Sequence, residues 1–233
     1  MAQLGILLCD DHPAELVAET GSYDQAFLRM FAAVGYVPTS VAVWRCFEGE
    51  MPSAADHCDN FLISGSKWSV YDDEPWIKEL VEFIRQGFND GQRFVGICFG
   101  HQLIHHALGG EVGPAGFWGL GAYPVDVVQP FASFRAGDSL KVLAVHQDQV
   151  KTMAAGVQRL AGSELCPNAI TASERLLTVQ AHPEFSDQIF MDVTGRVKER
   201  AGDALAQNAL SKLGEVDQRE EIARWIADFI EQR

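Results

Sequence analysis

The run Phe94-Val95-Gly96-Ile97 passes without a linker into Cys98-Phe99-Gly100, and apolar residues resume at once at helical spacing through Leu103, Ile104, Ala107 and Leu108. Few architectures accept a buried strand that turns directly into a helix. The strand needs neighbours on both edges, and the helix must fold back across one face, as in a βαβ unit. Glycines two positions before and two after Cys98 permit a tight turn and close backbone approach. Such a turn holds the sulfur clear of the sheet. The helix N-terminus favours thiolate over thiol, and backbone N–H groups there can receive a developing oxyanion. The plainer reading of Cys98 is a buried, inert strand-end cysteine, because unpaired cysteine is among the most buried residue types.

The same alternation runs through the first half. Residues 4–9, 40–46 and 61–63 read as strands, the third ending in Ser64-Gly65-Ser66. Between them, Phe27, Met30, Phe31 and Val34 mark one helix. Trp76, Leu80, Val81, Phe83 and Ile84 mark another, with Pro75 suited to its first turn. Gly109-Gly110 stops the helix after Cys98. Residues 123–128, 141–145, 157–161 and 176–181 are short strand candidates separated by small turns, and residues 187–201 and 218–231 are helix candidates. This pattern predicts one α/β domain over 1–233. Its central sheet is mostly parallel, with helices on both faces and a small β-rich excursion in the second half. The C-terminal helices, about 187–233, are expected to pack on it.

A nucleophile needs a base, and Val179-Gln180-Ala181-His182-Pro183-Glu184 offers one at the end of a strand-like run. Pro183 stiffens the turn, and Glu184 is placed to fix the His182 tautomer. The alternative is a surface His–Glu pair that merely closes a turn.

Charge and cysteine usage narrow the remaining classes. Lys and Arg total 18 against 32 Asp and Glu, a net charge of −14, with no basic run. Such a surface repels phosphate backbones and anionic lipid, so neither nucleic acid nor a membrane is an expected partner. No stretch approaches the ~20 apolar residues of a membrane span, and the first residues lack a secretory signal's basic start. Five widely spaced cysteines, an odd number without a CxxC pair, point to free thiols in a reducing, cytoplasmic compartment. No metal is expected. His101 and His105 share a helical face without the carboxylate of an HExxH site, and packing explains them more simply. A P-loop and a GxGxxG turn are both lacking.

Gly96-Ile97-Cys98-Phe99-Gly100-His101-Gln102 and Gln180-Ala181-His182-Pro183-Glu184 together resemble the G-x-C-x-G-x-Q and Q-x-H-P-E motifs of the class I glutamine amidotransferase superfamily. The resemblance spans roughly residues 3–193. It is nearest the stand-alone branch that includes γ-glutamyl peptidases and proteins similar to the GMP synthase glutaminase domain. It implies a flavodoxin-like core and hydrolysis of a γ-glutamyl amide through a thioester, without a cofactor. Cys98 is then the nucleophile, with His182 as base and Glu184 orienting it. The N–H groups of Gly65 and Phe99 become oxyanion donors. Gln102 lies beside the bound substrate, and His146, Gln147 and Asp148 help hold its amino-acid end. Two positions depart from the family pattern: Ser66 replaces the commoner second glycine, and Gly119 stands where a glutamate often follows the tryptophan of Gly116-Phe117-Trp118. Trp44, Phe47, Trp68, Tyr71 and Trp118 are expected in pocket walls or the core.

Three functions remain open at this level. The chain is an autonomous hydrolase of small γ-glutamyl compounds, a glutaminase subunit delivering ammonia to a separate synthetase, or a non-enzymatic regulatory protein on the same fold. The sequence leaves the oligomeric state open.

Overall fold

In the computed structural model, which describes residues 3–53, 56, 58–215 and 218–231, nine strands join in one sheet. The extreme ends of the expected 1–233 domain and 187–233 helical stretch lie outside the described residues. The strands are β1 (Gln3–Leu8), β2 (Ser40–Arg45), β3 (Asn60–Ile63), β4 (Arg93–Ile97), β5 (Glu111–Val127), β6 (Ser139–Thr152), β7 (Gln158–Gly162), β8 (Ile170–Ala172) and β9 (Leu176–Val179). The helices are α1 (Ala14–Thr20), α2 (Tyr23–Ala33), α3 (Pro75–Asn89), α4 (Phe99–Ala107), α5 (Asp187–Ala201), α6 (Asp203–Ser211) and α7 (Arg219–Glu231).

The order is β2-β1-β3-β4-β9-β8-β7-β5-β6. The first five strands pair in parallel and give the flavodoxin-like order 2-1-3-4-5, with β9 in fifth place. Every residue of β3 and β9 is buried, as a parallel strand covered on both faces must be. Period-two alternation divides β1 between two cores. Leu4, Ile6 and Leu8 pack with Phe27 and Phe31 of α2 and Ile222, Ile226 and Ile230 of α7. Leu7 packs on the other face with Phe61, Ile63 and Phe94 and with Trp76, Leu80 and Leu103 of α3 and α4. Phe185, Ile189, Phe190 and Ala209 build a third cluster with Leu120 of β5 and Leu143 of β6.

The second half differs from the expectation in extent. The β-rich part is no small excursion: β8, β7, β5 and β6 continue the same sheet in antiparallel pairing, so the sheet is mixed. The strands expected at 123–128 and 141–145 are fragments of a ribbon whose two arms run 17 and 14 residues. Gly113, Pro114, Gly116, Gly119, Gly121 and Pro124 disguise β5, because glycine and proline are poor strand formers. A register irregularity between Pro114 and Gly119 absorbs part of that composition. β8 and α1, at 3 and 7 residues, are too short to carry a periodic signal, and α6 (9 residues) was not read from the sequence.

Candidate active site

Cys98 follows β4 directly and caps α4 with φ 51° and ψ −101°, a conformation that L residues rarely adopt. The flanking glycines do not supply this strain; both have ordinary φ. They supply closeness. A methyl group at Gly96 would lie 2.6 Å from the Gly100 carbonyl, and one at Gly100 would lie 2.2 Å from the Ile63 oxygen. Packing α4 this tightly on β3 and β4 leaves the left-handed turn to the cysteine itself. The Cys98 N–H donates to Val179 O at 2.9 Å, and the Gly100 N–H to Ser64 O at 3.1 Å. The sulfur, almost wholly buried, lies 3.6 Å from Gln180 Nε2 and 3.6 Å from Val145 O.

His182 comes from the turn after β9, the neighbour of β4. Its N–H donates to Leu143 O at 2.8 Å, so β6 fixes the turn from the antiparallel half. Nδ1 lies 2.8 Å from Glu184 Oε1, with both side chains buried. Phe185 stacks on the imidazole, centroids 4.0 Å apart and planes 13° apart. Burial works to lower the His182 pKa. The charges of Glu184 and Cys98, with hydrogen bonds to both, outweigh it and push the pKa up to about 10. The site therefore favours the charged form of the ring, set between Glu184 and the sulfur of Cys98. That arrangement can deliver a sulfur nucleophile and return a proton to a departing group.

Gly65 sits against both groups: a methyl group there would lie 2.8 Å from His182 Cε1 and 3.7 Å from Cys98 Cβ. Ser66 ties its loop to β1, donating to Cys9 O at 2.9 Å and accepting from the Trp68 N–H at 3.2 Å. Phe99, the first residue of α4, is buried under Trp76. Cys9 itself is fully buried, and burial pushes its thiol pKa well up, which fits an inert role.

Gln102, His146, Gln147 and Asp148 line one cleft of about 520 Å³ with Cys98 and His182. Gln102 Nε2 donates to Asp148 O at 2.8 Å and to Gln180 Oε1 at 3.2 Å. The Asp148 carboxylate already accepts from the Ser69 and Tyr71 hydroxyls. Burial lowers the His146 pKa to about 4, so its ring is neutral; Nδ1 lies 3.0 Å from Asp148 O. Gln147 Oε1 accepts from Arg200 at 2.9 Å. The His146 ring also explains the glycine after Trp118. A methyl group at Gly119 would lie 2.3 Å from His146 Nε2, so the imidazole fills the space of a side chain there. Among the aromatics, Phe47, Trp68 and Trp118 line the cleft, Trp44 packs on Phe61 in the core, and Tyr71 serves Asp148.

Several cleft residues carry no motif. Asp10, Asp11, His12, Arg45 and Lys67 line one rim, and Arg196 and Arg200 of α5 another. On the first rim the charges are matched: Lys67 pairs with Asp10 at 3.1 Å and Arg45 with Asp11 at 2.8 Å. Residues 10–13 follow the C-terminal end of β1, where α/β sheets carry their sites, and that rule alone flags them. Nothing in the sequence flags the arginines. Away from the cleft, His101 and His105 are held by Thr178 and Thr171 at 2.8 and 2.9 Å. Among the described residues no group of three or more His, Cys, Asp or Glu side chains is arranged to hold a metal. None of the described helices is long and apolar enough to cross a membrane.

Comparison with known proteins bears on this arrangement. Residues 16–191 match the family described as glutamine amidotransferase class-I. Gamma-glutamyl peptidase 2 of Arabidopsis thaliana is 31% identical over 193 residues, covering 79% of this chain and 77% of that protein. A glutamine-hydrolysing GMP synthase component from Archaeoglobus fulgidus is 38% identical over 93 residues, 39% of this chain and 51% of that one. The crystal structure of a glutamine amidotransferase from Methylobacillus flagellatus superposes with a TM-score of 0.76 at 20% identity, covering 98% of this chain and 92% of that one.

Proposed function

We propose that this chain, an enzyme belonging to the class I glutamine amidotransferase family, is a cysteine-dependent hydrolase of γ-glutamyl amide bonds. The observation that carries the proposal is the buried Cys98–His182–Glu184 constellation, set at the C-terminal ends of the adjacent strands β4 and β9 and open to one cleft. The Cys98 thiolate attacks the γ-glutamyl carbonyl carbon. The carbonyl oxygen becomes an oxyanion received by the N–H groups of Gly65 and Phe99. The C–N bond breaks as His182 gives its proton to the departing amine, leaving a γ-glutamyl thioester. Water, deprotonated by His182, then releases glutamate and the thiol. Glu184 keeps the ring oriented and charged. Gln102 braces the cleft through Asp148 and Gln180, and His146, Gln147 and Asp148 face the glutamyl end. The whole chain acts as one such unit, without a cofactor, in a reducing compartment.

The plant relatives named γ-glutamyl peptidases support autonomous hydrolysis. The similarity to the GMP synthase component supports a second reading, in which ammonia passes to a separate synthetase. The test is to incubate the purified protein with glutamine and a panel of γ-glutamyl amides and dipeptides, beside Cys98→Ala. Release of glutamate and amine that depends on Cys98 is the expected result. Equal rates in Cys98→Ala would sink the hydrolase reading. Glutaminase activity that appears only with a synthetase present favours the second.

A further inference from the structure

His12 is the least explained side chain in the cleft. It is 5% exposed, it lines the cleft wall, and neither ring nitrogen has a hydrogen-bond partner among the described residues. Its neighbours are committed elsewhere: the Asp11 carboxylate takes Arg45 and the N–H groups of His12 and Tyr23, and Asp10 takes Lys67. A buried imidazole left this way awaits a partner that arrives from the cleft.

Its place is fixed by a ladder of rings. His182 stacks on Phe185, Phe185 meets Tyr23 with centroids 6.4 Å apart, and Tyr23 meets His12 edge-on at 4.1 Å. If His182 gives its proton to the departing amine, the leaving group lies on the His182 side of Cys98, along this ladder. Beside this ladder, where Val193 joins the Phe185 cluster, α5 turns Val193, Arg196, Val197 and Arg200 into the cleft, the spacing of one helical face. Arg196 spends Nε on Asp192 at 2.8 Å, and its charge already acts on His12. Arg200 is held by Gln147 and lies over Trp118, not by a carboxylate among the described residues. Two guanidinium groups thus stand on one wall of a chain of net charge −14, and Arg196 gives only its Nε to Asp192. Ammonia, the leaving group of glutamine, is too small to use any of it.

We infer that this end of the cleft is a leaving-group subsite for an amine that carries a carboxylate, so that the substrate is a γ-glutamyl amino acid or short γ-glutamyl peptide. Arg196 pairs with the carboxylate and His12 hydrogen-bonds beside it, between the apolar walls of Tyr23, Phe185 and Val193. The inference rests on the hydrolase reading above.

The test compares kcat/KM for γ-glutamyl-leucine and γ-glutamyl-leucinamide, which differ only in that carboxylate, with glutamine as third substrate. The enzymes are the natural protein, Arg196→Gln, Arg196→Lys, His12→Ala and Cys98→Ala. The natural protein is expected to prefer the acid by about tenfold, mostly through KM, as one charge-assisted pair supplies. Arg196→Gln brings the acid-to-amide ratio near one, Arg196→Lys restores part of it, and His12→Ala lowers it less. Because the ratio is read within each variant, a general loss of activity does not imitate the effect. Equal rates on acid and amide in the natural protein, or a ratio unmoved by Arg196→Gln, overturn the subsite alone. Absence of Cys98-dependent turnover on all three substrates overturns the hydrolase reading and the subsite with it.

Discussion

Two sets of histidines flank the strand–helix turn, and burial has opposite outcomes for them. His182 is enclosed beside Glu184, and its pKa rises. His101 and His105, on α4, are enclosed equally, and their pKa values fall, that of His105 to about 4. Burial works against the charge in every case; the partner decides. His105 accepts the Ala154 N–H at Nδ1, which leaves Nε2 to donate to Thr171, whose hydroxyl is 2.6 Å from that of Thr178. Thr178 in turn meets His101. A hydroxyl and a backbone N–H satisfy the neutral His105 ring, whereas a buried carboxylate demands a charged one. His182 thus keeps a proton beside Cys98, and the α4 pair uses the same side chain as a neutral strut between α4 and the strands β8 and β9.

The contrast is sharpest in activity. His182→Gln is expected to lower kcat by about 10³-fold or more with the fold retained, because it removes the proton carrier. His105→Gln is expected to change turnover by less than about tenfold, within what positioning errors cause. Turnover assays beside thermal melts check both, and equal losses would erase the distinction. Glu184→Gln keeps a hydrogen-bonding group but removes the charge. The His182 pKa should fall, followed by NMR of the imidazole, with a rate loss of about 10²-fold.

Stability should divide along the same line. His182 has a folded pKa above its unfolded value, so its stabilising contribution is complete below pH ~6.5 and is lost as the pH rises through about 10. His101, His105 and His146 have folded pKa values below it. As the pH falls from ~6.5 towards 4 the unfolded chain takes up protons that the native state refuses, and stability drops by about 1.4 kcal/mol per pH unit for each. Denaturant melts at pH 7, 6 and 5 should show this slope, and His105→Gln should flatten it. The smallest effect is Thr171→Val, expected to cost about 1 kcal/mol with turnover little changed. A loss of activity as large as that of Glu184→Gln would tie the strut to the chemistry.

What the sequence disclosed follows from how local each cause is. The parallel half was legible because each strand is a continuous apolar run and each helix an amphipathic one, as Phe94 to Ile97 and α3 illustrate. Cys98, His182 and Glu184 were legible because each sits in a turn whose neighbours in sequence are its neighbours in space. The long β5 was not, because its glycines and prolines are tolerated only through pairing with β6, a tertiary fact. His12, Arg196 and Arg200 escaped for the same reason: a histidine after β1 and two arginines of α5 are ordinary polar residues that matter only where folding brings them to one cleft. The turn at Cys98 was legible in place but not in detail. The glycines allow the close approach read from them, while the strained conformation, which the sequence did not show, falls on the cysteine.

Gly119 and His146 occupy one volume between them. The imidazole can stand where it does only while position 119 has no side chain, so the two positions are epistatic. A Gly119→Glu change made alone would drive a side chain into the ring and should be damaging. The same change after His146 has become small has room to succeed. A double change that places a glutamate at 119 is therefore expected to succeed only with position 146 altered first.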